Sequence, residues 1–296
     1  MLWLIRAAAR FSLRNLHLLG FLLGWLGYAL SGTYRRRLDA HAALAGLTVA
    51  QRREAVASAG RLVTELPWLW LRPLDQPLGA RVRWQGDELV EAALRGGRGV
   101  LLLTPHLGCF EVAAQAVVER FGTQAPLTVM YRPARQAWLR ELEETSRHRP
   151  GLDTAPAALA GVRQMIRALR RGEMVGVLPD QVPPDGMGVW APFFGRPAYT
   201  MTLAQRLVQQ TGAVPLCIWA ERLPGGAGFV LRVTSLGQPL PANEGDDTAW
   251  QVACAARINS EMETLIRQCP GQYLWGYHRY KQPRPMPAPE TAGPKA

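Results

Sequence analysis

The fold of this chain is decided by residues 99–111, which read GVLLLTPHLGCFE. Residues 100–103 form an apolar run typical of a buried strand, and a helical pattern begins at Glu111. A buried strand that leads directly into a helix is the repeating unit of an α/β fold. His106 and Glu111 lie at the turn between the two elements. Their side chains are therefore predicted to meet at the carboxyl end of the strand, as a base and its orienting partner.

The spacing of a histidine and an acid is weak evidence when it is taken without its context. His148 and Asp153 have the same spacing, but Pro150-Gly151 lies between them and marks a turn. The strand and helix on either side distinguish His106 from His148. A histidine that caps the helix or packs in the core is the alternative interpretation of His106, and at this point both remain open.

Beyond Val82, strand-like and helix-like segments alternate, which is α/β order. Strands are predicted at residues 99–104, 127–131, 174–178, 214–220 and 229–233, and helices at 111–121, 134–147, 158–171, 202–211 and 248–267. A helical segment is also predicted before Val82, with a start near Thr48. A chain of 296 residues with 48% hydrophobic residues is long and apolar enough to bury a substantial core.

The first 38 residues contain six arginines and no acidic residue, and they surround an apolar run at 16–30. This run is shorter than the roughly 20 residues that a membrane-spanning helix needs, so spanning and lying in the interface both remain open. Arg6, Arg10 and Arg14 recur every four residues and would line one helix face among anionic headgroups. A cleaved signal peptide is the alternative, but no small-residue cleavage site follows the run. We therefore predict a membrane anchor.

Composition limits the partners and ligands. The formal net charge is +11, and only two of the 34 basic residues are lysines. Arginine suits phosphates and carboxylates, which favours an anionic membrane or an acidic carrier protein, although a genome rich in G and C would produce the same bias. No zinc-finger or RNA-binding signature is present, so nucleic acid is disfavoured. The four cysteines show no C-x-x-C pairing and predict neither a metal site nor disulfides, consistent with a reducing cytosol.

Two polar residues follow predicted strands on the same side of the sheet as His106. Arg132 comes directly after residues 127–131, and Asp180 follows 174–178. Active sites of open α/β sheets collect at the carboxyl ends of parallel strands. Arg132 is thus a candidate contact for a phosphate or phosphopantetheine, and Asp180 a candidate partner for an arginine or an acceptor group. An ion pair between the two is the structural alternative.

Other candidates come from the chemistry that a thioester or an acyl chain would need. Backbone amides from Gly108 to Phe110, or an arginine, are candidates to stabilise an oxyanion. Cys109 would be a nucleophile if its thiol pKa were lowered at the helix N-terminus, or else a small packing residue. Phe193, Phe194 and Thr200 are candidates to border an acyl groove, with packing under the sheet as the alternative. A basic patch suited to an acidic carrier protein or anionic headgroups, with a solvated helix face as the alternative, is formed by Arg163, Arg167, Arg170 and Arg171.

Several blocks together resemble the late acyltransferases of lipid A biosynthesis, the lauroyl- and myristoyl-type enzymes within the lysophospholipid acyltransferase superfamily. The similarity covers about residues 1–281. The blocks are residues 99–111, 131–133 (YRP), 178–181 (LPDQ), 192–200 (PFFGRPAYT) and 273–281 (YLWGYHRYK). Many members carry a polar residue and a tryptophan where this chain has Cys109 and Phe110.

The resemblance implies a glycerolipid-acyltransferase-like mixed sheet flanked by helices, preceded by an N-terminal hydrophobic membrane-anchoring helix. It divides the chain into an anchor at residues 1–37, an acyltransferase domain at 38–281 with a helical lead-in at 38–78, and a proline-rich disordered tail at 282–296. It also implies transfer of a fatty acyl chain from acyl carrier protein to a hydroxyl of a lipid A precursor, an anionic lipid. The site would be the cytoplasmic face of the bacterial inner membrane.

In that family an H-x-x-x-x-D/E motif supplies the catalytic pair, here His106 and Glu111. The donor would be an acyl-carrier-protein thioester, with coenzyme A thioesters possible, and no cofactor or metal is expected. A neutral hydroxyl is a poor nucleophile, so the reaction needs a base, and Glu111 would hold the other ring nitrogen of His106 without a covalent intermediate. Acylation of a lysophospholipid or a mannosylated lipid is the enzymatic alternative. A non-catalytic lipid-binding protein is a second one, and the lack of a G-x-S-x-G elbow disfavours an α/β-hydrolase.

Overall fold

The computed structural model describes residues 9–131 and 149–285. Several sequence predictions fall outside these ranges and concern Arg6, Arg132, His148, the helix at 134–147 and most of the proline-rich tail.

The structure describes eight helices, of which the one that begins at Val49 and the four that begin at Phe110, Leu159, Leu203 and Asp247 start close to the predicted positions. They are α1 (Leu13–Leu30), α2 (Gly32–Leu44), α3 (Val49–Trp70), α4 (Asp87–Arg95), α5 (Phe110–Phe121), α6 (Leu159–Arg170), α7 (Leu203–Thr211) and α8 (Asp247–Gln268). Helix α3 begins where the sequence predicts a start, because Thr48 and Gln51 form a capping box that satisfies free backbone amides.

The strands form one large sheet and one hairpin. They are β1 (Val82–Gln85), β2 (Val100–Leu103), β3 (Leu127–Tyr131), β4 (Leu152–Pro156), β5 (Met174–Val177), β6 (Gly188–Phe193), β7 (Arg196–Met201), β8 (Val214–Arg222) and β9 (Phe229–Ser235). The large sheet has the order β1-β9-β8-β2-β5-β3-β4, and β6 pairs with β7 alone. Only the β8–β9 pairing in the large sheet is antiparallel. The prediction of an α/β fold with a mixed sheet flanked by helices is confirmed.

Both faces of the sheet are covered, which explains why its central strand is apolar throughout. Val100 and Leu102 of β2 pack in one hydrophobic cluster with α5 and the end of α3. Leu101 and Leu103 pack in a second cluster with α6, α7 and α8. Successive side chains of a strand point to opposite faces, so an uninterrupted apolar run is what a strand buried on both sides requires.

The N-terminal helix α1 packs closely along α3. A Cβ added to Gly24 would lie 2.2 Å from the Val56 carbonyl oxygen, and one added to Gly60 would lie 2.0 Å from the Gly20 carbonyl oxygen. Glycine at these positions is therefore what allows the two backbones to approach. Trp68 and Trp70, near the end of α3, are buried, so this aromatic cluster packs in the core.

The predicted anchor at residues 1–37 ends inside α2, and membrane spanning by its helices is not confirmed. Within the described ranges, no single helix combines the length and hydropathy of a membrane span. Helices α1 and α2 meet those criteria only as a pair, and they are bent by 103° relative to each other.

Candidate active site

The candidate site lies at the carboxyl ends of β2 and β5, on the two loops that follow these strands. Leu103, the last residue of β2, is the register partner of Val177, the last residue of β5. His106 and Asp180 each lie three positions beyond that pair. The parallel register therefore brings the two loops together at the same level of the sheet edge, as expected for a site in an open α/β sheet.

Asp180 holds His106 at two points. Its Oδ1 lies 2.7 Å from His106 Nδ1, and its Oδ2 accepts a hydrogen bond of 2.9 Å from the His106 backbone amide. The Asp180 carboxylate is 2% exposed and the His106 imidazole 13% exposed. Asp180 is therefore buried, whereas the ring of His106 is partly exposed to solvent. The other ring nitrogen, Nε2, lies 2.9 Å from the side-chain nitrogen of Gln181. Both ring nitrogens therefore have a partner on the loop after β5.

The charge state of Asp180 follows from these contacts. Burial by itself would raise the pKa of this carboxyl group, but the charge and hydrogen bonds of His106, helped by the charge of Arg279, lower it below its usual value. Asp180 is thus ionised at neutral pH and can only accept hydrogen bonds. In the neutral form of the His106 ring, Nδ1 therefore carries the proton and Nε2 presents its lone pair.

Glu111, which the sequence analysis expected on the ring of His106, lies in the first turn of α5. Its Oε2 accepts a long hydrogen bond of 3.5 Å from the Trp70 indole nitrogen. The carboxylate on Nδ1 belongs instead to Asp180, for which the sequence analysis expected an arginine or an acceptor group as partner. Spacing along the chain pointed to Glu111, whereas pairing of β2 with β5 brings Asp180 to the ring.

A tight turn joins His106 to α5, and Gly108 makes it possible. Gly108 has a φ of +60°, and a Cβ at this position would lie 1.9 Å from the Ala220 carbonyl oxygen. Its amide donates to the Gln272 carbonyl, and the Cys109 amide donates to the Ala220 carbonyl, both at 3.0 Å. The amides from Gly108 to Phe110 were expected to stabilise an oxyanion, and the engagement of the Gly108 and Cys109 amides with backbone carbonyls argues against that role for these two.

A buried ionic network underlies this turn. Arg222, at the end of β8, donates from Nε and Nη2 to the two carboxylate oxygens of Glu65, at 2.5 and 2.7 Å. Its Nη2 also lies 3.2 Å from the Gly108 carbonyl oxygen, and its Nη1 donates to Ser58 Oγ at 2.7 Å. His17 Nε2 lies 2.7 Å from the same Glu65. The network connects α1 and α3 to the turn that carries His106.

No local sequence pattern predicts this network, because its members are far apart in the chain. Burial alone would raise the pKa of Glu65, but Arg222 and the hydrogen bond of His17 outweigh burial and lower it to about 2. A paired, fully buried carboxylate of this kind is costly to break, because each charge is left without its partner.

Comparison with known proteins identifies the family. The family model for bacterial lipid A biosynthesis acyltransferase matches residues 36–282, which is most of the chain. This chain belongs to the bacterial lipid A biosynthesis acyltransferase family. The match includes all of the elements that build the site, from α3 to the segment after α8. The family and enzyme class that the sequence analysis predicted are confirmed, and the activity class is acyl transfer in lipid A synthesis.

Individual members of the family are distant relatives. The lipid A biosynthesis lauroyltransferase of Escherichia coli K12 is 27% identical over 237 residues, which cover 77% of this chain and 71% of the relative. The palmitoleoyltransferase of the same strain is 26% identical over 233 residues, covering 77% and 70%. The myristoyltransferase is 27% identical over 226 residues, covering 75% and 65%. These names concern transfer of three different acyl chains.

Cys109 is fully buried in this acyltransferase. Burial, reinforced by the nearby charge of Glu65, raises the pKa of its thiol well above the usual value. The sequence analysis considered a lowered pKa at the helix N-terminus, and the structure shows the opposite. A thiol that stays protonated and has no access to solvent is a packing residue, which was the alternative interpretation.

Phe193, Phe194 and Thr200, which were expected to border an acyl groove, are buried in the protein interior. Phe193 and Phe194 pack edge to face against each other, and Phe194 also contacts Trp275. Thr200 is fully buried, and its hydroxyl accepts a hydrogen bond of 2.7 Å from the guanidinium of Arg279. This arrangement matches the packing alternative, since these side chains stabilise the β6–β7 hairpin against α8 and the C-terminal segment.

The predicted basic patch is exposed. Arg163, Arg167 and Arg170 lie on α6, and Arg171 follows it and pairs with Glu173. Within the described residues, no group of three or more histidine, cysteine or acidic side chains is arranged to hold a metal ion.

Proposed function

We propose that this acyltransferase moves a fatty acyl chain from acyl carrier protein to a hydroxyl of a lipid A precursor at the cytoplasmic face of the bacterial inner membrane. Family membership and the names of the relatives support the acceptor class. The observation that carries the chemistry is the partly exposed His106 ring, whose Nδ1 is held by the buried carboxylate of Asp180 at 2.7 Å. An imidazole fixed in this tautomer is suited to take a proton from a hydroxyl.

In the proposed reaction, the acceptor oxygen attacks the thioester carbonyl carbon while Nε2 of His106 takes the hydroxyl proton. The C–S bond of the tetrahedral intermediate then breaks, and the departing thiolate receives that proton from the imidazolium. Asp180 stabilises the imidazolium, because its ionised carboxylate is already hydrogen-bonded to Nδ1. No covalent acyl-enzyme is required. Glu111 is the acid of the H-x-x-x-x-D/E motif, and it remains the second member of the catalytic pair that the family resemblance implies.

An acidic carrier protein would dock on the basic surface formed by Arg163, Arg167 and Arg170. These residues lie at positions i, i+4 and i+7 of α6 and so form one stripe along the helix. Among the residues that the structure describes, none of the three forms an ion pair. Exposed cations that are not neutralised by their own protein are available to a negatively charged partner and speed its association. Arg132, predicted to contact the phosphopantetheine arm, lies outside the described residues and keeps that proposed role.

Helices α1 and α2 would attach the enzyme to the membrane. Leu18, Leu22, Leu26 and Leu30 recur every four residues along α1 and are 64%, 57%, 52% and 77% exposed. The opposite face of α1, with Gly20 and Gly24, is closed against α3. An exposed apolar stripe with arginines nearby is typical of a helix that lies in the interface of an anionic membrane. This supports attachment along the surface, with α1 remaining packed on the protein.

The proposal is tested with purified protein and defined substrates. Acyl-carrier-protein and coenzyme A thioesters of the lauroyl, myristoyl and palmitoleoyl chains named for the relatives would each be offered with a lipid A precursor or a lysophospholipid. We expect transfer to the lipid A precursor, with the carrier-protein thioester preferred, and none with His106→Ala. Transfer to the lysophospholipid alone would contradict the proposed acceptor. No transfer to either acceptor would contradict the proposed function.

A further inference from the structure

The proposed base is blocked in this structure by a neighbouring side chain. Gln181 follows Asp180 directly, and its side-chain nitrogen lies 2.9 Å from Nε2 of His106. Gln181 is partly exposed, whereas Asp180 beside it is buried. The backbone on both sides of Gln181 is held, since Asp180 binds His106 and the Val182 amide donates to the Tyr277 hydroxyl at 3.0 Å. Only the side chain of Gln181 is therefore left to move.

The direction of this hydrogen bond is determined by the other side of the ring. Because Asp180 accepts from Nδ1, the neutral ring has its lone pair on Nε2, and the Gln181 side-chain nitrogen that faces Nε2 is then the donor. The amide thus occupies the position that the acceptor hydroxyl needs when it gives its proton to Nε2. Binding of the acceptor must displace Gln181 by about the length of one hydrogen bond, ~3 Å.

The site also needs a donor for the oxygen of the thioester carbonyl. Two of the three candidate backbone amides, those of Gly108 and Cys109, are engaged with the carbonyls of Gln272 and Ala220. The side-chain amide of Gln181 lies beside the reacting nitrogen and has a second N–H. Glutamine and asparagine amides are effective donors to oxyanions, because they supply a fixed dipole without a proton to lose.

We propose that Gln181 is a catalytic residue that caps the lone pair of His106 in the resting enzyme and, once displaced by the acceptor hydroxyl, donates to the thioester carbonyl oxygen. As the C–O bond forms, negative charge develops on that oxygen and the Gln181 N–H stabilises it. The charge returns to form the carbonyl when the C–S bond breaks. This inference rests on the proposed function, because it assumes that His106 is the base in thioester transfer.

The test uses Gln181→Met, which preserves the size of the side chain and removes the donor, and Gln181→Glu, which replaces the donor with an acceptor. We expect kcat to fall by about 10²–10³-fold in both, the loss typical of one oxyanion donor. KM for the acyl donor should change by less than about threefold, since the contact is made in the transition state. The matched control is Gln251→Met on α8, where the amide donates to the Asp247 carboxylate, and kcat should be unchanged.

A second readout reports on the resting contact directly. The ¹⁵N chemical shift of His106 Nε2 should move in Gln181→Met, because the lone pair loses its hydrogen-bond donor, while Nδ1 on Asp180 should stay in place. Wild-type kcat in Gln181→Met would overturn the proposal, and if Gln181→Met does not fold in thermal unfolding, wild-type kcat in a folded Gln181→Glu would overturn it instead. If the wild-type enzyme transfers no acyl group, the proposed function fails and this inference fails with it. Active wild-type enzyme with fully active Gln181→Met overturns the Gln181 proposal alone.

Discussion

His106 and Asp180 occupy equivalent positions on the loops that follow two neighbouring parallel strands, β2 and β5. Each follows the last residue of its strand by three positions, and those last residues, Leu103 and Val177, are partners in the register of the sheet. The 2.7 Å contact between Nδ1 and Oδ1 is therefore a consequence of β2 pairing with β5. The same pairing brings the backbone amide of His106 to the second carboxylate oxygen, so that the acid is held at two points.

Replacing Asp180 with asparagine should remove the charge that stabilises the imidazolium and release the tautomer of His106. We expect kcat to fall by roughly 10²–10⁴-fold in Asp180→Asn, with a smaller change in KM. Steady-state transfer from acyl carrier protein measures both, and Glu111→Gln in the same assay measures the contribution of the motif carboxylate. Wild-type kcat in Asp180→Asn would show that the contact with His106 has no role in transfer.

Stability should decrease in acid because of Glu65. Its pKa in the folded protein is about 2, below the ordinary value of 4.5. A carboxyl group with a depressed pKa stabilises the folded state above its unfolded pKa, and this contribution is lost as the pH falls from about 5 towards 2. Asp180, whose pKa is also lowered, acts in the same direction. Denaturant unfolding between pH 7 and pH 3 should show this decline.

Breaking the same network at neutral pH should be costly. Glu65→Gln leaves the buried Arg222 without its counter-charge, so we expect a loss of about 3–5 kcal/mol in the free energy of unfolding. The variant should also show a shallower dependence on pH than the wild type. Ser58→Ala removes one hydrogen bond of Arg222 and is the milder comparison, with an expected loss of about 1 kcal/mol. A Glu65→Gln protein as stable as wild type at pH 7 would contradict this account.

Cys109 should be dispensable for chemistry. Because its thiol is buried and its pKa is raised, we expect Cys109→Ala to keep kcat within about twofold and to lose about 1 kcal/mol of stability from the smaller side chain. Mass spectrometry of the enzyme during turnover should detect no acyl group on this residue. A trapped thioester at Cys109, together with an inactive alanine variant, would establish the covalent route instead.

The exposed stripe of α1 should control binding to lipid. Replacing Leu22 or Leu26 with glutamate removes one apolar contact, worth about 1.5–3 kcal/mol, and adds repulsion from anionic headgroups. We therefore expect at least about tenfold weaker binding to phosphatidylglycerol vesicles, measured by co-sedimentation, with thermal stability unchanged. Val252→Glu, at an exposed apolar position of α8, is the control and should bind as wild type. Equal binding by all three variants would exclude α1 as the docking face.

Thr200 should affect folding and not the choice of acyl chain. Its hydroxyl accepts from the buried guanidinium of Arg279, so Thr200→Val leaves that donor unsatisfied at a cost of about 1–3 kcal/mol. The relative rates with thioesters of different chain length should remain those of the wild type. A changed chain-length preference with unchanged stability would indicate instead that Thr200 borders the acyl groove.

Several features of this protein follow from its sequence alone. The apolar run at 100–103 and the helical pattern after it are local signals, and they predict β2, α5 and the position of His106 at the turn between them. The same kind of signal predicts α3 from Thr48, as well as α6, α7 and α8. Periodicity and capping act over a few residues, so a single sequence contains what is needed to recognise them.

The tertiary structure determined which side chains are in contact. The sequence offered Glu111 as the partner of His106 by spacing and treated Asp180 as a partner for an arginine or an acceptor group, because the order of the strands is a long-range property. Once β5 packs beside β2, Asp180 contacts Nδ1 of His106 and Gln181 contacts Nε2. Burial likewise decided that Cys109 is inert and that Glu65, His17 and Arg222 form one network. These outcomes depend on which segments, distant in sequence, pack together and exclude water. Local sequence patterns do not contain that information.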